Sequence, residues 1–252
     1  VLGTASRADA PADLLVEVPH GATRAAHFDA LFAVLRGPFP EGLRDFFFVN
    51  TDVGAPETAT ALAPRVVRAA PRRSVLVVRS LIPRTFVDCN RVIDADAAPS
   101  SSAAGEMTPG LLSYVRHPAD RLLLLARYAA YQDVAARAYE EVCGAGGTAV
   151  TLHSYAPRSV DVPVDDRIVE RLRAAYEPGV LETWPLRAEV DLITNAPDGT
   201  LLADEELVAR VTAAFRREGF EVARNAAYSL HPSSMGHVYA SRHPARTLCL
   251  EM

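Results

Sequence analysis

The sequence predicts an α/β protein, a largely parallel sheet with helices on both faces. Two observations carry this. Short apolar, β-branched runs alternate with stretches of helical period, the pattern of strands joined by crossover helices. The runs are continuously apolar rather than alternating, as strands buried on both faces require. The chain has 252 residues, 49% of them hydrophobic and 23% charged, which is enough for a sizeable core. No internal repeat or long linker divides it, so residues 1–252 read as one domain.

Strands are expected at Leu14–Pro19, Phe46–Asn50, Ser74–Arg79, Phe86–Asn90, Ala149–Ser154, Val190–Thr194, Glu221–Arg224 and Thr247–Glu251. Three helices stand out between them. Leu122–Val142 is the longest, with Tyr128, Tyr131, Ala135, Tyr139 and Val142 on one face. Arg167–Ala175 is the second. In Asp204–Glu218, Asp204 can cap the start, Leu207, Val208, Val211 and Phe215 share a face, and Gly219 can stop the helix. The Ala/Ser/Gly-rich stretch Asp94–Thr108 has no periodicity and reads as a surface loop.

Composition excludes several function classes. The net charge of −5 argues against a nucleic-acid partner or an anionic membrane surface. No apolar run approaches the roughly 18 residues of a transmembrane helix. Val1–Ala12 lacks the basic-then-apolar layout of a signal peptide. All 26 basic residues are Arg, so neither a Schiff-base nor a P-loop lysine is possible. Cys89, Cys143 and Cys249 are odd in number and far apart, which indicates neither a disulfide framework nor a thiolate metal site. A reducing cytoplasm is the expected location.

In open α/β sheets ligands bind beyond the carboxyl ends of the strands. His20, Asp52, Asn90-Arg91, His153 and Glu251 each stand at such an expected end. Two strand-end histidines suit zinc, and a catalytic zinc takes three protein ligands and keeps one open position. The third ligand should be a carboxylate: Asp52, with Glu57 as the alternative. Asp52 could instead cap a helix starting near Pro56. Arg91 can bind a carboxylate in bidentate fashion, with the Asn90 amide beside it. Arg84, at the start of the same expected strand, can polarise a carbonyl oxygen, or either arginine can be a surface Arg paired with Asp88 or Asp94. Asp88 can orient a ligand or face a helix. Glu251, at the end of an apolar strand, suits a general base. His231 and His237, in an expected loop over Tyr228–Tyr239, can lean over the site.

Five blocks in order carry a resemblance: Val-Pro-His-Gly at 18–21, Thr-Asp-Val-Gly-Ala at 51–55, Arg-Thr-Phe-Val-Asp-Cys-Asn-Arg at 84–91, Leu-His-Ser-Tyr at 152–155 and Leu-Glu at 250–251. Together they resemble the N-formylglutamate amidohydrolase family, itself similar in fold to the zinc carboxypeptidases. The resemblance implies a three-layer α/β/α sandwich of the phosphorylase/hydrolase-like kind, with a mixed, mostly parallel sheet and one zinc ion. It implies His20 and His153 as ligands, Asn90 and Arg91 as carboxylate holders and Glu251 as general base. Tyr155 and His237 join them as expected substrate contacts. The sequence departs from this pattern in three places. Thr23 stands where carboxypeptidases carry a ligand Glu, Gln132 follows Tyr131 where the family often has His, and Cys89 replaces a usual Leu.

The expected activity is zinc-dependent hydrolysis of a C–N amide bond in a small carboxylate-bearing substrate, an N-formyl or short N-acyl amino acid. A carboxypeptidase-like peptidase and a metal-free binding protein on the same scaffold are the alternatives. A serine hydrolase is disfavoured, because no Gly-x-Ser-x-Gly elbow is present.

Overall fold

A computed structural model describes residues 10–252. Most of the stretch read above as carrying no signal peptide, residues 1–9, lies outside the described residues. Six strands, β1 (Leu14–Val18), β2 (Val75–Arg79), β3 (Thr148–His153), β4 (Val190–Ile193), β5 (Val222–Arg224) and β6 (Thr247–Glu251), form one sheet in the order β2-β1-β3-β6-β4-β5. All neighbours run parallel except β4 and β6, so the sheet is mixed and mostly parallel, as expected.

Among the described residues seven α-helices surround it: α1 (Ala25–Phe32), α2 (Leu43–Val49), α3 (Ala55–Ala69), α4 (Pro118–Gly144), α5 (Ile168–Ala175), α6 (Glu205–Arg217) and α7 (Met235–Arg242). Strand pleating sorts their partners. Val16, Val18, Leu152, Leu192, Leu248 and Leu250 point to one face and pack with α3 and α6. Leu15, Val78 and Ala149 point to the other and pack with α4 and α7. A third cluster joins α1, α2 and α5 to residues 86–115, beside the sheet rather than across it. Among the described residues no helix is long and apolar enough to cross a membrane.

The three expected helices form, and the Asp204 carboxylate caps α6 by accepting the Leu207 N–H at 2.7 Å. Two expected strands do not. Phe46–Asn50 lies in α2, where Leu43, Phe46 and Phe47 are buried at helical spacing while Phe48 and Val49 face out. Packing of Phe47 on Phe28 outweighs the β preference of an aromatic run. Phe86–Asn90 is buried but turns, because its backbone bonds are local or reach a loop: Phe86 N–H to Pro83 O, and Asp88 N–H to Gly110 O. The expected Tyr228–Tyr239 loop ends in α7, which the Ser234 hydroxyl caps at the His237 N–H. The helix near Pro56 exists as α3. Gly54 caps it in the left-handed conformation with φ of 91°, and the Asp52 side chain goes elsewhere.

One buried carboxylate lies in mid-sheet. Glu17 on β1 points at α4 and accepts hydrogen bonds from Tyr131 at 2.8 Å and Tyr139 at 2.7 Å. Burial raises its pKa above the ordinary carboxylate value despite those two donors. A carboxyl whose folded pKa is raised adds stability that is present at low pH and lost as pH climbs through the folded value. Glu17→Gln cannot titrate. In chemical denaturation its stability relative to the parent should therefore improve on going from about pH 5 to about pH 8. A difference independent of pH would show that Glu17 carries no cost of burial.

Candidate active site

The three parallel strands β1, β3 and β6 end together, and the site is built on their carboxyl ends. His153 is the last residue of β3 and lies in register with Glu251 on β6. His20 follows β1 by two residues. The turn there has room only for glycine at 21, since a Cβ would stand 2.8 Å from Ser80 O and 2.4 Å from Arg79 Cγ. The Arg79 guanidinium donates to Gly21 O at 2.7 Å and holds that turn against the end of β2. Asp52 arrives from another direction, on the link from α2 to α3.

These three residues converge. The His20 and His153 rings lie 4.8 Å apart between centroids. Asp52 Oδ2 is 2.8 Å from His153 Nδ1 and 3.3 Å from His20 Nδ1. All three residues are buried, and one donor atom from each lies within 4.8 Å of the others. Glu57, the alternative carboxylate, is exposed on α3 and outside this group.

The histidine protons are determined by their other partners. Asp88 Oδ1 stands 2.7 Å from His20 Nε2, and Asp88 is held well below the usual carboxylate range. Burial opposes this, but Arg84, His20 and Arg91 outweigh it. A carboxylate only accepts, so Nε2 carries a proton. In neutral His20 the Nδ1 lone pair then faces the Asp52 carboxylate, acceptor to acceptor. That contact calls for a positive charge: a second proton on His20 or a metal cation. Burial disfavours the charged ring, yet Asp88 and Asp52 raise the His20 pKa above its ordinary value. Asp52 likewise drops below its ordinary value, the charge and hydrogen bonds of the two histidines overcoming burial. Two imidazoles, one carboxylate and a carboxylate behind a ligand histidine form the donor set of a metal centre, so the residues present fit a divalent cation.

A cavity of about 720 Å³ opens over this group and is lined by Arg84, Asn90, Arg91, Tyr155 and Glu251 among others. Asn90 and Arg91 are placed not by a strand but by a buried turn. That turn is tied down by Gln132 Nε2 to Cys89 O at 2.7 Å and by Tyr128 OH to Arg91 O at 2.7 Å. The Gln132 departure thus has a structural use. Cys89 is buried, with the Ser80 hydroxyl 3.4 Å away. The Asn90 amide lies 3.2 Å from His153 Nε2, and its oxygen accepts the Gly236 N–H at 3.2 Å. Arg91 Nε donates to Thr108 O at 2.8 Å. Arg84 Nε pairs with Asp88 Oδ2 at 2.9 Å, as the surface-pairing alternative anticipated, but with a buried partner. Glu251 faces the cavity, and the groups packed around it push its pKa up to about 7 through desolvation.

His237 is not among the cavity-lining residues; its neighbour His231 is. Thr23 is not among the cavity-lining residues either. Sequence reasoning missed Arg187, which lines the cavity between the rings of Tyr155 and Tyr228, 4.9 and 5.4 Å from their centroids. Its Nε is buried without a hydrogen-bond partner. The only sequence signal was the Tyr155 block, since nothing near Arg187 marks it.

The family model described as "FGase: N-formylglutamate amidohydrolase" matches residues 12–251. Among solved structures the chain is similar to gene product Atu2144 from Agrobacterium tumefaciens. The TM-score is 0.54 and the identity 18%, covering 96% of this chain and 81% of that one, a likeness of fold. No curated protein matches the chain.

If Asp88 orients a metal ligand, Asp88→Asn should weaken metal binding by about 10–100-fold while the fold persists. Calorimetric titration of the metal-free protein with Zn²⁺ tests this, and an unchanged affinity would remove Asp88 from the site.

Proposed function

The chain belongs to the N-formylglutamate amidohydrolase family, and from that premise we propose that it is a zinc-dependent hydrolase of N-formyl or short N-acyl amino acids. The observation that carries the proposal is the buried His20–Asp52–His153 group with Glu251 beside it in register. His20, Asp52 and His153 would hold Zn²⁺, which would supply Lewis acidity for the hydrolysis.

The chain's own residues divide the remaining work. Arg91, with the Asn90 amide, binds the substrate carboxylate. The Arg91 guanidinium is already pinned at Thr108 O, so little freedom is lost on binding. Arg84 keeps two terminal nitrogens free while its Nε is held by Asp88, and it donates to the developing oxyanion. Glu251 accepts a proton from the attacking water. The water oxygen adds to the acyl carbon, the C–N bond breaks, and Glu251 returns the proton to the departing nitrogen. One formate or short-chain acid and one free amino acid result. Tyr155 lines the cavity, its hydroxyl donating to Ala188 O at 2.6 Å. A carboxyl must be ionised to act as base. With burial lifting Glu251 to about 7, activity is lost as pH falls through its titration, which a bound cation moves lower.

Glu251→Gln keeps size and hydrogen bonding but cannot take the proton. Its kcat should fall by about 10²–10⁴-fold with zinc content unchanged, measured by turnover of N-formyl amino acids and elemental analysis. Near-full kcat would remove Glu251 from the mechanism, and loss of zinc would make it a ligand. Arg91→Lys loses the planar fork and should raise KM strongly for carboxylate substrates. An equal effect on neutral amides would show that Arg91 is not the carboxylate anchor.

A further inference from the structure

Four guanidinium groups line the cavity, those of Arg84, Arg91, Arg158 and Arg187. Two of them already face a carboxylate. Arg84 Nε pairs with Asp88 at 2.9 Å, and Arg91 Nη1 lies 4.0 Å from the same side chain. The other two bond to neutral groups. Arg158 Nη1 donates to the carbonyls of Glu182 and Trp184, and Arg187 Nη2 donates to the hydroxyls of Tyr228 at 3.0 Å and Ser159 at 3.3 Å. Among the described residues neither has a carboxylate partner.

Arg187 is the less satisfied of the two. Its Nε is buried without a hydrogen-bond partner, and its Nη1 has none among the described residues. A buried donor left unmet costs free energy that a ligand's acceptor recovers. The surroundings also select the shape of that acceptor. The Arg187 Cζ lies over the rings of Tyr155 and Tyr228, 4.9 and 5.4 Å from their centroids. Aromatic rings cover the face of a guanidinium, while its N–H groups donate within its plane. The open direction is the edge, and a carboxylate is the planar anion that meets such an edge with two parallel bonds. The position suits a substrate contact. β4 runs antiparallel to β6, so the segment entering β4 at Val190, which carries Arg187, stands at the same end of the sheet as Glu251. Arg91 comes from a separate segment, the buried turn held by Gln132 and Tyr128. A ligand in the cavity thus meets guanidinium groups from two sides of the chain's path.

We propose that Arg187 is the residue that reads the substrate's side chain. With Arg91 on the α-carboxylate, Arg187 receives a second, side-chain carboxylate, so N-acyl derivatives of an acidic amino acid are preferred over their neutral isosteres. This inference rests on the hydrolase reading above and assigns a residue to a specificity which that reading leaves open.

The test compares two isosteres, N-formylglutamate and N-formylglutamine, on zinc-replete protein. The parent should prefer the glutamate by at least about tenfold in kcat/KM. Arg187→Met should lower kcat/KM for N-formylglutamate by about 10–100-fold, chiefly through KM, and change it for N-formylglutamine by less than about threefold. No preference in the parent overturns the inference. So does an equal loss on both substrates, the result expected of an arginine that only supports the fold. Arg187→Lys keeps the charge without the planar fork and should cut the preference at least about threefold, which serves where Arg187→Met does not fold; an unchanged preference overturns the assignment. Calorimetric titration of both compounds into zinc-replete Glu251→Gln protein, with and without Arg187→Met, measures affinity apart from turnover. Tighter binding of N-formylglutamate that Arg187→Met abolishes, without turnover in the parent, upholds Arg187 and sinks the hydrolase reading. Turnover whose preference is indifferent to Arg187→Met sinks the assignment alone.

Discussion

The arrangement of the site depends on one buried carboxylate. Asp88 is 2% exposed and accepts from three directions: His20 Nε2 at 2.7 Å, the Asn90 N–H at 2.8 Å and Arg84 Nε at 2.9 Å. Arg91 Nη1 lies 4.0 Å from it. A metal-ligand candidate, the proposed oxyanion donor and both proposed carboxylate holders thus take their positions from a single side chain. An ionised carboxylate at this depth is costly unless it is paired and hydrogen-bonded, and here it is both. The cost of burying it obliges its partners to stay in place.

The sheet supplies the second half of the site. Parallel pairing of β3 with β6 sets His153 level with Glu251, while antiparallel β4 brings Asp191 opposite Glu251. Asp191 is fully buried, and its carboxylate accepts the N–H groups of Ala226 and Ala227, anchoring the segment that leads to Tyr228. The site therefore lies where parallel strand ends meet the start of a reversed strand. Desolvation of Glu251 follows from that crowding, and with it a carboxyl near neutrality beside carboxylates held low. Environments that push neighbouring carboxyls apart in this way separate a proton acceptor from a charge-bearing ligand.

The cavity has two chemically different halves. Around the histidines, guanidinium groups from Arg84, Arg91 and Arg187 face the carboxylates of Asp52 and Glu251. Toward α2 and α5 the lining turns aliphatic and aromatic. The same residues of α2 serve both the core and the cavity, since Phe46 packs among the buried aromatics and still lines the wall. This economy explains why the run Phe46–Val49 is helical: a helix turns Phe46 and Phe47 into the cluster that holds Phe28 and Phe86 and leaves Val49 exposed.

The sequence by itself determined the strands that carry the site and the residue types at their ends. Continuous apolar runs can bury both faces only in a covered sheet, so β1, β2, β3, β4, β5 and β6 were legible, as were α4, α5 and α6 from their periodicity. His20, His153 and Glu251 were legible because a polar residue closing such a run must stand at a sheet edge. Tertiary structure alone decided what the apolar runs Phe46–Asn50 and Phe86–Asn90 become. Phe86–Asn90 is largely buried and Phe46–Asn50 only at Phe46 and Phe47, and an apolar run by itself does not distinguish a helix, a turn and a strand; the partners across the chain do. It also set Asp52, on the link between α2 and α3, beside the two histidines and left Glu57, five residues on and inside α3, outside that group. Asp88 as the common hub and Arg187 between two tyrosines depend on contacts 68, 32 and 41 residues apart in the chain, and no local pattern records such distances.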